Sequence, residues 1–343
     1  MSSHLRGEEL ADIMETDHQR TDSAPDGGLV IAVDLGGTNL RAATIDNRGR
    51  IHERIKIRTP KAEKADEIVR AIVQAARECE SRGRERGAHI RAMSIAIPGT
   101  VQIENGVVVK APNVPALDGF RLAAAVQSEL RWPALLENDA NAAAVGEMWM
   151  GAARGRATII CITLGTGVGG GIILNKKLWR GIDGSAAELG HIGIEPFTGV
   201  ACPCGSRGCL EVYASATAIV RMTREARPRY PDSPLHTSED LSAYAVYKSG
   251  VEGDELALEV FRQMGIRLGV GLASLVNIFN PEMIVIGGGV AAGWDLFMGH
   301  VREQVMERAF PIPARRVEIV RAECGDDAGL LGAAQIAFTD TFE

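Results

Sequence analysis

No stretch of this 343-residue chain is long and apolar enough to cross a membrane: the apolar runs are short and broken by Gly, Asn or charge, far below the roughly 20 residues a spanning helix needs. An excess of basic charge is missing too. The formal net charge is −7, so the chain lacks the basic face that a nucleic acid or an anionic membrane surface requires, and neither is expected as a partner. Residues 1–27 carry acids, two His and several Ser, Thr and Asp but no apolar signal core, and read as a solvated tail and not as an export signal. Cysteine is scarce. Cys79, Cys161 and Cys324 are scattered with no pairing pattern, which fits a reducing, cytoplasmic setting.

The remaining cysteines are concentrated. Cys202, Cys204 and Cys209 fall within Cys-Pro-Cys-Gly-Ser-Arg-Gly-Cys, with His191 just upstream in Glu-Leu-Gly-His. Three thiolates and one imidazole complete a tetrahedral Zn²⁺ set and leave no open position, which favours a structural ion over a catalytic one. Three unrelated buried thiols would not account for Gly205 and Gly208, which supply the turns that wrapping an ion requires. Glu188 and His191 precede this loop and Glu211 follows it, so the metal would fix polar side chains able to grip a hydroxyl-rich ligand.

Strand and helix patterns alternate along 28–343. Leu29–Asp34 is a short apolar run, followed by Leu40–Ile45 and Ile51–Ile57 as an antiparallel meander. Ala62–Arg82 reads as an amphipathic helix, Arg91–Ile97 as a buried strand stopped by Pro98-Gly99, and Phe120–Leu130 as a helix. Ala134–Glu137 reads as a strand feeding the helix Ala140–Met150. A second copy of the theme opens at Ala157–Leu164, turns through Gly165–Gly171 and returns at Ile172–Leu174. Helix Asp254–Phe279, strand Met283–Ile286 and a further helix follow. The expected division is a tail over 1–27, an N-terminal α/β domain over 28–139, and a C-terminal α/β domain over 140–326 with its metal loop at 188–211. The last helix, within 327–343, is expected to pack back on the first domain.

Three glycine turns punctuate these strands. In Asp34-Leu-Gly-Gly-Thr-Asn-Leu-Arg41, a tight turn at Gly36 and Gly37 brings backbone N–H groups and the Thr38 hydroxyl towards a ligand, as a phosphate cradle requires, and Asp34 stands where it can hold Mg²⁺ through water. A lone Gly-Gly is more often an ordinary hairpin turn. Here Gly165-Thr166-Gly167 repeats the arrangement and Gly287-Gly288-Gly289 offers a third close approach, for an adenine or ribose. Neither the Walker spacing nor a G-x-G-x-x-G opening a βαβ unit occurs at the first turn, so P-loop and Rossmann readings fail. Glu137-Asn-Asp-Ala-Asn141 follows a buried strand and starts a helix, at the open end of a sheet where α/β proteins bind ligands. Asp139 there is either a general base or, with Asn138, a helix cap.

Taken in order, Asp34-Leu-Gly-Gly-Thr, Glu137-Asn-Asp-Ala-Asn, Leu164-Gly-Thr-Gly-Val-Gly-Gly-Gly, Glu188-Leu-Gly-His and Cys-x-Cys-x₄-Cys resemble the ROK family of bacterial sugar kinases over roughly residues 28–340. The resemblance implies a two-domain, actin-like ATPase (ribonuclease H-like) α/β fold with an interdomain cleft and a structural zinc loop. It implies ATP with Mg²⁺ as donor, transfer of the γ-phosphoryl group to a sugar hydroxyl, and assembly into homodimers or homotetramers. Asp139 matches the catalytic base. Asn138, Glu188, His191 and Glu211 match sugar contacts, with Gly99 and Asn113 in the loops lining the same pocket; Asp34, Gly36, Gly37, Thr38, Asn39, Arg41, Gly165, Thr166, Gly167 and Gly287–Gly289 fall on the nucleotide side. His191 would serve twice, one ring nitrogen on zinc and the other on a sugar hydroxyl.

Two departures from the family pattern stand out: Asn113–Phe120 is longer than the usual Pro-Asn-Leu-x-Gly-Trp stretch, and Ala187 replaces the commoner Gly before Glu188. Some ROK proteins are repressors with a winged helix-turn-helix ahead of the kinase fold, and residues 1–27 lack two helical apolar faces for such a module. The expected reaction is glucose to glucose 6-phosphate. N-acetylglucosamine, N-acetylmannosamine and fructose kinases of the same fold, and a sugar-sensing regulator that does not turn over, are the alternatives.

Overall fold

Two sheets of the same topology face each other across a pair of helices. The computed structural model describes residues 28–84 and 89–340, so the tail over 1–27 and the last three residues of the expected C-terminal segment lie outside the described residues. The first sheet holds β1 (Leu29–Leu35), β2 (Asn39–Asp46), β3 (Ile51–Arg58), β4 (Ile90–Ile97) and β7 (Ala134–Asn138) in the order β3-β2-β1-β4-β7, with β5 (Thr100–Gln102) and β6 (Val107–Lys110) forming a separate hairpin. The second holds β8 (Ile159–Leu164), β9 (Val168–Leu174), β10 (Lys177–Leu178), β11 (Met283–Gly287) and β12 (Glu318–Arg321) in the order β10-β9-β8-β11-β12. In each, an antiparallel meander is extended by two parallel strands. The parallel strands are apolar on both faces, because each sheet is covered on both sides.

The helices supply those covers. On the outer face of the first sheet lie α1 (Ala65–Arg84) and α2 (Leu122–Leu130); between the sheets lies α3 (Asp139–Met150). The second sheet's outer face carries α4 (Glu211–Ala214), α5 (Ala216–Ala226), α6 (Ala243–Val251), α7 (Glu255–Phe279), α8 (Trp294–Arg308) and α9 (Pro311–Arg316), and α10 (Ala328–Thr339) returns to lie beside α3. Leu330, Leu331 and Ala334 of α10 pack with Val30, Ala32 and Ala96 of the first sheet, while Ile336 packs with Ile159, Ile173 and Val285 of the second. The chain's last described helix thus closes back on the sheet formed by its first strands.

Local chemistry explains where the boundaries differ from the sequence reading. The helix expected from Phe120 starts at Leu122, because Phe120 bridges to Val108 as an extended residue and Gly119 N donates to Val108 O at 2.8 Å. Helix α3 starts one residue earlier than expected, because Asn138 caps it: its Oδ1 accepts from Ala140 N at 2.9 Å and Asn141 N at 3.0 Å. The Gly165–Gly171 stretch is not one turn. Gly169, Gly170 and Gly171 lie inside β9, where a Cβ on Gly171 would stand 2.6 Å from the Ala144 Cβ and one on Gly169 2.8 Å from that of Ala140. These glycines let α3 lie directly on the strand.

The same device joins α3 to α10. A Cβ on Gly332 would stand 1.6 Å from Ala142 O, and one on Gly146 2.2 Å from Ala328 O, so the two helix backbones touch. Alanine is favoured over glycine in a helix by about 1 kcal/mol. Overpacking against unyielding backbone costs about 1–3 kcal/mol or more, and wins. Gly332→Ala is therefore expected to lower the unfolding free energy by about 2 kcal/mol, whereas Gly299→Ala, on the exposed face of α8 with no atom within 4 Å of its added Cβ, is expected to raise it. Denaturant titration of both variants checks the opposed signs.

Candidate active site

The N-terminus of α3 opens into a cavity of about 560 Å³ between the two sheets. Asp34, Gly36 and Arg41 reach it from the β1–β2 turn, Asp139 from α3, Gly287, Gly288 and Gly289 from the end of β11, and Asp326 from the segment before α10. An adjoining hollow of about 350 Å³ is lined by Gly37, Thr38 and Asn39 together with Lys56. Gly36 N donates to Asn39 O at 2.9 Å, and the Thr59 hydroxyl donates to Gly36 O at 2.6 Å, which fixes the first turn. Gly288, at φ +86°, would place a Cβ 2.4 Å from Leu164 O, so the third glycine turn abuts the start of the second. In that second turn Gly165 N donates to Gly167 O at 2.9 Å, and Thr217 Oγ1 donates to Thr166 O at 2.8 Å.

Asp139 sits half-buried at the head of α3. Burial, then the charge of Asp34, push its carboxyl up to about 6, with Glu188 adding to the rise and the Ala140 N–H opposing it. Asp34 is raised as well, mainly by burial, against the Arg41 guanidinium that ion-pairs with it. Arg41 also donates to Asp326 O at 2.6 Å. Asp34 and Asp139 thus put two carboxylates on one cleft, the charge of the first raising the second, which makes a donor set suited to a hard divalent cation. Asn138 is the helix cap, and Asp139, whose Oδ1 accepts from Ala140 N at 2.8 Å, lines the cleft.

Each residue expected at the acceptor side is held by its own local contacts. Asn138 Nδ2 donates to Gly99 O at 2.9 Å; Gly99, at φ +126°, has no room for a Cβ, which would stand 2.1 Å from Lys110 O. Asn113 packs on the first turn, its Cβ 2.9 Å from where a Gly37 Cβ would be. The longer Asn113–Phe120 stretch folds as a 3-10 turn over Pro115–Leu117, with Asp118 Oδ1 accepting from Ala111 N at 2.8 Å. Glu211 lies against the second turn: its Oε2 accepts from Val168 N at 3.0 Å. Glu188 follows Ala187, whose φ of +65° puts a side-chain-bearing residue where the family pattern has glycine.

His191 turns its Nδ1 to Cys202 Sγ at 3.7 Å and its Nε2 to Glu188 Oε2 at 4.0 Å. Cys204 and Cys209 Sγ are 3.7 Å apart, and one donor atom from each of His191, Cys202, Cys204 and Cys209 lies within 4.8 Å of every other. Two thiolates on one Zn²⁺ at about 2.3 Å in a tetrahedron stand about 3.8 Å apart, so the donor spacing fits that ion. Gly205 (φ +94°) and Gly208 (φ +67°) make the turns. Cys79, Cys161 and Cys324 stay out of this set as free thiols.

With that geometry in hand, comparison with known proteins is decisive. A family model described as the ROK family matches residues 30–340. The chain belongs to the ROK family. It is 36% identical to a glucokinase of Thermotoga maritima over 90% of this chain and 96% of that one. It superposes on the structure of a ROK family glucokinase from Streptomyces griseus, in complex with glucose and AMPPNP, with TM-score 0.76 at 36% identity, over 91% of this chain and 99% of that chain. Identity to a xylose repressor of Caldicellulosiruptor bescii is lower, 28%, over 92% of this chain and 79% of the repressor.

Sequence reasoning missed two buried carboxylates of this ROK chain. Glu147 shares the cleft face of α3 with Asp139 and Ala143, a four-residue spacing that was there to be read. Its oxygens accept from Ala152 N at 2.9 Å, Glu323 N at 3.1 Å and Cys324 N at 2.8 Å, tying α3 to the segment before α10. Glu137, fully buried, pairs with Arg180 Nε at 2.7 Å and accepts from Asn138 N and Asn141 Nδ2, each at 3.0 Å. Arg180 also reaches Asp340 at 2.7 Å. No local signal links positions 43 residues apart. Stripping the cation from a buried carboxylate costs about 3–5 kcal/mol, whereas an exposed pair contributes under about 1 kcal/mol. Arg180→Ala is therefore expected to destabilise far more than Asp340→Ala, as paired thermal melts will report.

Proposed function

We propose that this chain is an ATP-dependent hexose kinase, a glucokinase that transfers the γ-phosphoryl group of ATP to the 6-hydroxyl of glucose with Asp139 as general base. The observation that carries the reading is Asp139 itself: a carboxylate at a helix head, lining the cleft beside Gly36 and Gly287–Gly289, with burial and the charge of Asp34 pushing its pKa up to about 6. The high identity to glucokinases along nearly their whole length supports the same reading. A protein that only senses sugar has no need for a base poised in this way beside a nucleotide-sized cleft.

Phosphoryl transfer passes through a loosely bonded transition state, so most of the catalytic work is alignment and charge neutralisation. Gly36 N and Gly165 N are held within their own turns, so the N–H groups of Gly37, Thr166 and Gly167 are the ones that suit phosphate oxygens, and Gly287–Gly289 leaves room for the nucleoside. Mg²⁺, held by Asp34 directly or through water with Asp139 close by, would neutralise phosphate charge when bound. Arg41, paired with Asp34, places a guanidinium beside the same cavity. On the acceptor side Asn138, Glu188, Glu211, His191 Nε2 and Asn113 offer donors and acceptors for the hydroxyls of a pyranose, beside the Gly99 backbone. Asp139 accepts the proton of the attacking hydroxyl. His191, Cys202, Cys204 and Cys209 would hold one structural Zn²⁺, which turns His191 so that Nε2 faces the sugar side. Following the family resemblance, the working unit is a homodimer or homotetramer in the cytoplasm.

A base must be ionised to work. The reading predicts that kcat/KM falls with unit slope as pH drops through about 6, the free-enzyme value for Asp139, and is flat above it. Asp139→Asn keeps shape and hydrogen bonding but cannot take the proton, so kcat should fall by about 10²–10⁴ while glucose affinity changes little. A variant within a few-fold of wild-type kcat would remove Asp139 from the role of base.

A further inference from the structure

Tyr213 lies two residues beyond Glu211 on α4, is 4% exposed, and has a hydroxyl buried under the metal loop. That hydroxyl is fully used: it donates to Glu195 Oε2 at 2.9 Å and accepts from Val200 N at 3.0 Å. Glu195 and Val200 both belong to the loop between His191 and Cys202. The other oxygen of Glu195 meets Arg267 of α7 at 3.2 Å, and the Arg267 guanidinium lies 4.9 Å from the Tyr213 ring centroid. The loop folds over the hydroxyl by glycine contacts: a Cβ on Gly199 would stand 2.9 Å from the Tyr213 oxygen, and one on Gly208 2.0 Å from Glu195 O. One continuous set of contacts therefore runs from the four metal-type ligands through Glu195 and Val200 to Tyr213, along one turn of α4 to Glu211, and from Glu211 Oε2 to Val168 N at the second glycine turn.

We propose that Tyr213 is a positioning residue that couples occupancy of the metal loop to sugar affinity by holding Glu211 in register. A turn of four residues has little stability of its own, so its orientation is set by what it is tied to. Leu210 packs on Gly271 of α7 on one side, and Tyr213 ties α4 to the loop on the other. Loss of the hydroxyl removes the one group that ties the half-buried Glu195 carboxylate and the Val200 N–H to α4, so the loop and the helix are free to shift against each other. The consequence should fall on the sugar and the metal more than on the nucleotide, because the first turn and the end of β11 lie outside this set of contacts.

The inference rests on the hexose-kinase reading for its sugar readout but not for its metal readout. Tyr213→Phe keeps the ring and its contact with Arg267 while deleting the hydroxyl, and Glu195→Gln perturbs the same contact from the loop should the first variant fail to fold. Each is compared with wild type for glucose and ATP KM, for kcat, and for the rate at which zinc passes to a chromogenic chelator. The expected result is a glucose KM raised at least fivefold, kcat and ATP KM within about twofold, and zinc released several-fold faster. Equal rises in both KM values would mean general loosening, and an unchanged glucose KM or unchanged zinc release would mean no coupling; either overturns the proposal. If wild type turned over no sugar, the kinase reading would fall alone, and zinc release from Tyr213→Phe would still decide whether the tyrosine holds the loop.

Discussion

The backbones of α3 and α10 touch at Gly146 and Gly332, and the placement of the cleft depends on that contact. The two helices form a single layer with one sheet on either side, reached through small residues: alanines at 140, 142 and 144 of α3 and glycines 169 and 171 of β9. A layer this thin brings the head of α3, with Asp139, between the β1–β2 turn and the glycine turn at the end of β11. Bulkier residues along the seam would separate the sheets and pull the two turns away from the same ligand. Close packing of this kind is bistable more than elastic, which suits a cleft whose two walls belong to different sheets.

Charge is distributed around that layer with distinct purposes. Glu137 and Glu147 are buried carboxylates satisfied by Arg180 and by backbone N–H groups, and they hold the two ends of α3 to their surroundings. Asp34, ion-paired with Arg41, and Asp139 instead both line the cleft, and the charge of Asp34 raises the affinity of Asp139 for a proton or a cation. Among the described residues, Glu137 and Glu147 have hydrogen-bond donors on both oxygens, whereas Asp139 does not. Asp139 retains one backbone donor, from Ala140, and stays poised near neutrality.

Much of this was legible in the sequence because it was local. The Cys-x-Cys-x₄-Cys spacing and the carboxylate after β7 each lie within one short segment, and the structure brings the three cysteines together with His191 and puts Asp139 at the head of α3. The tight approach at Gly169 and Gly171 was misread as turn because glycine serves two purposes that look alike in one dimension: a positive φ, and absence of a Cβ where another backbone passes. The second can be told only when the partner helix is known. Arg180 with Glu137, and Arg267 with Glu195, were not legible at all, since pairing across 43 or more residues leaves no spacing to read. The choice between Asn138 and Asp139 as cap was also beyond local sequence; side-chain geometry decides it.

Substrate identity is the most direct test of the whole account, because a site built for hydroxyls discriminates sharply against analogues that leave its polar groups unpaired. The measurement is kcat/KM for glucose, mannose, fructose, N-acetylglucosamine and N-acetylmannosamine in a coupled assay, with ATP and with polyphosphate as donors. The account predicts that glucose with ATP leads the series. A preference of tenfold or more for either N-acetyl sugar, or no transfer to any of the five, would contradict it.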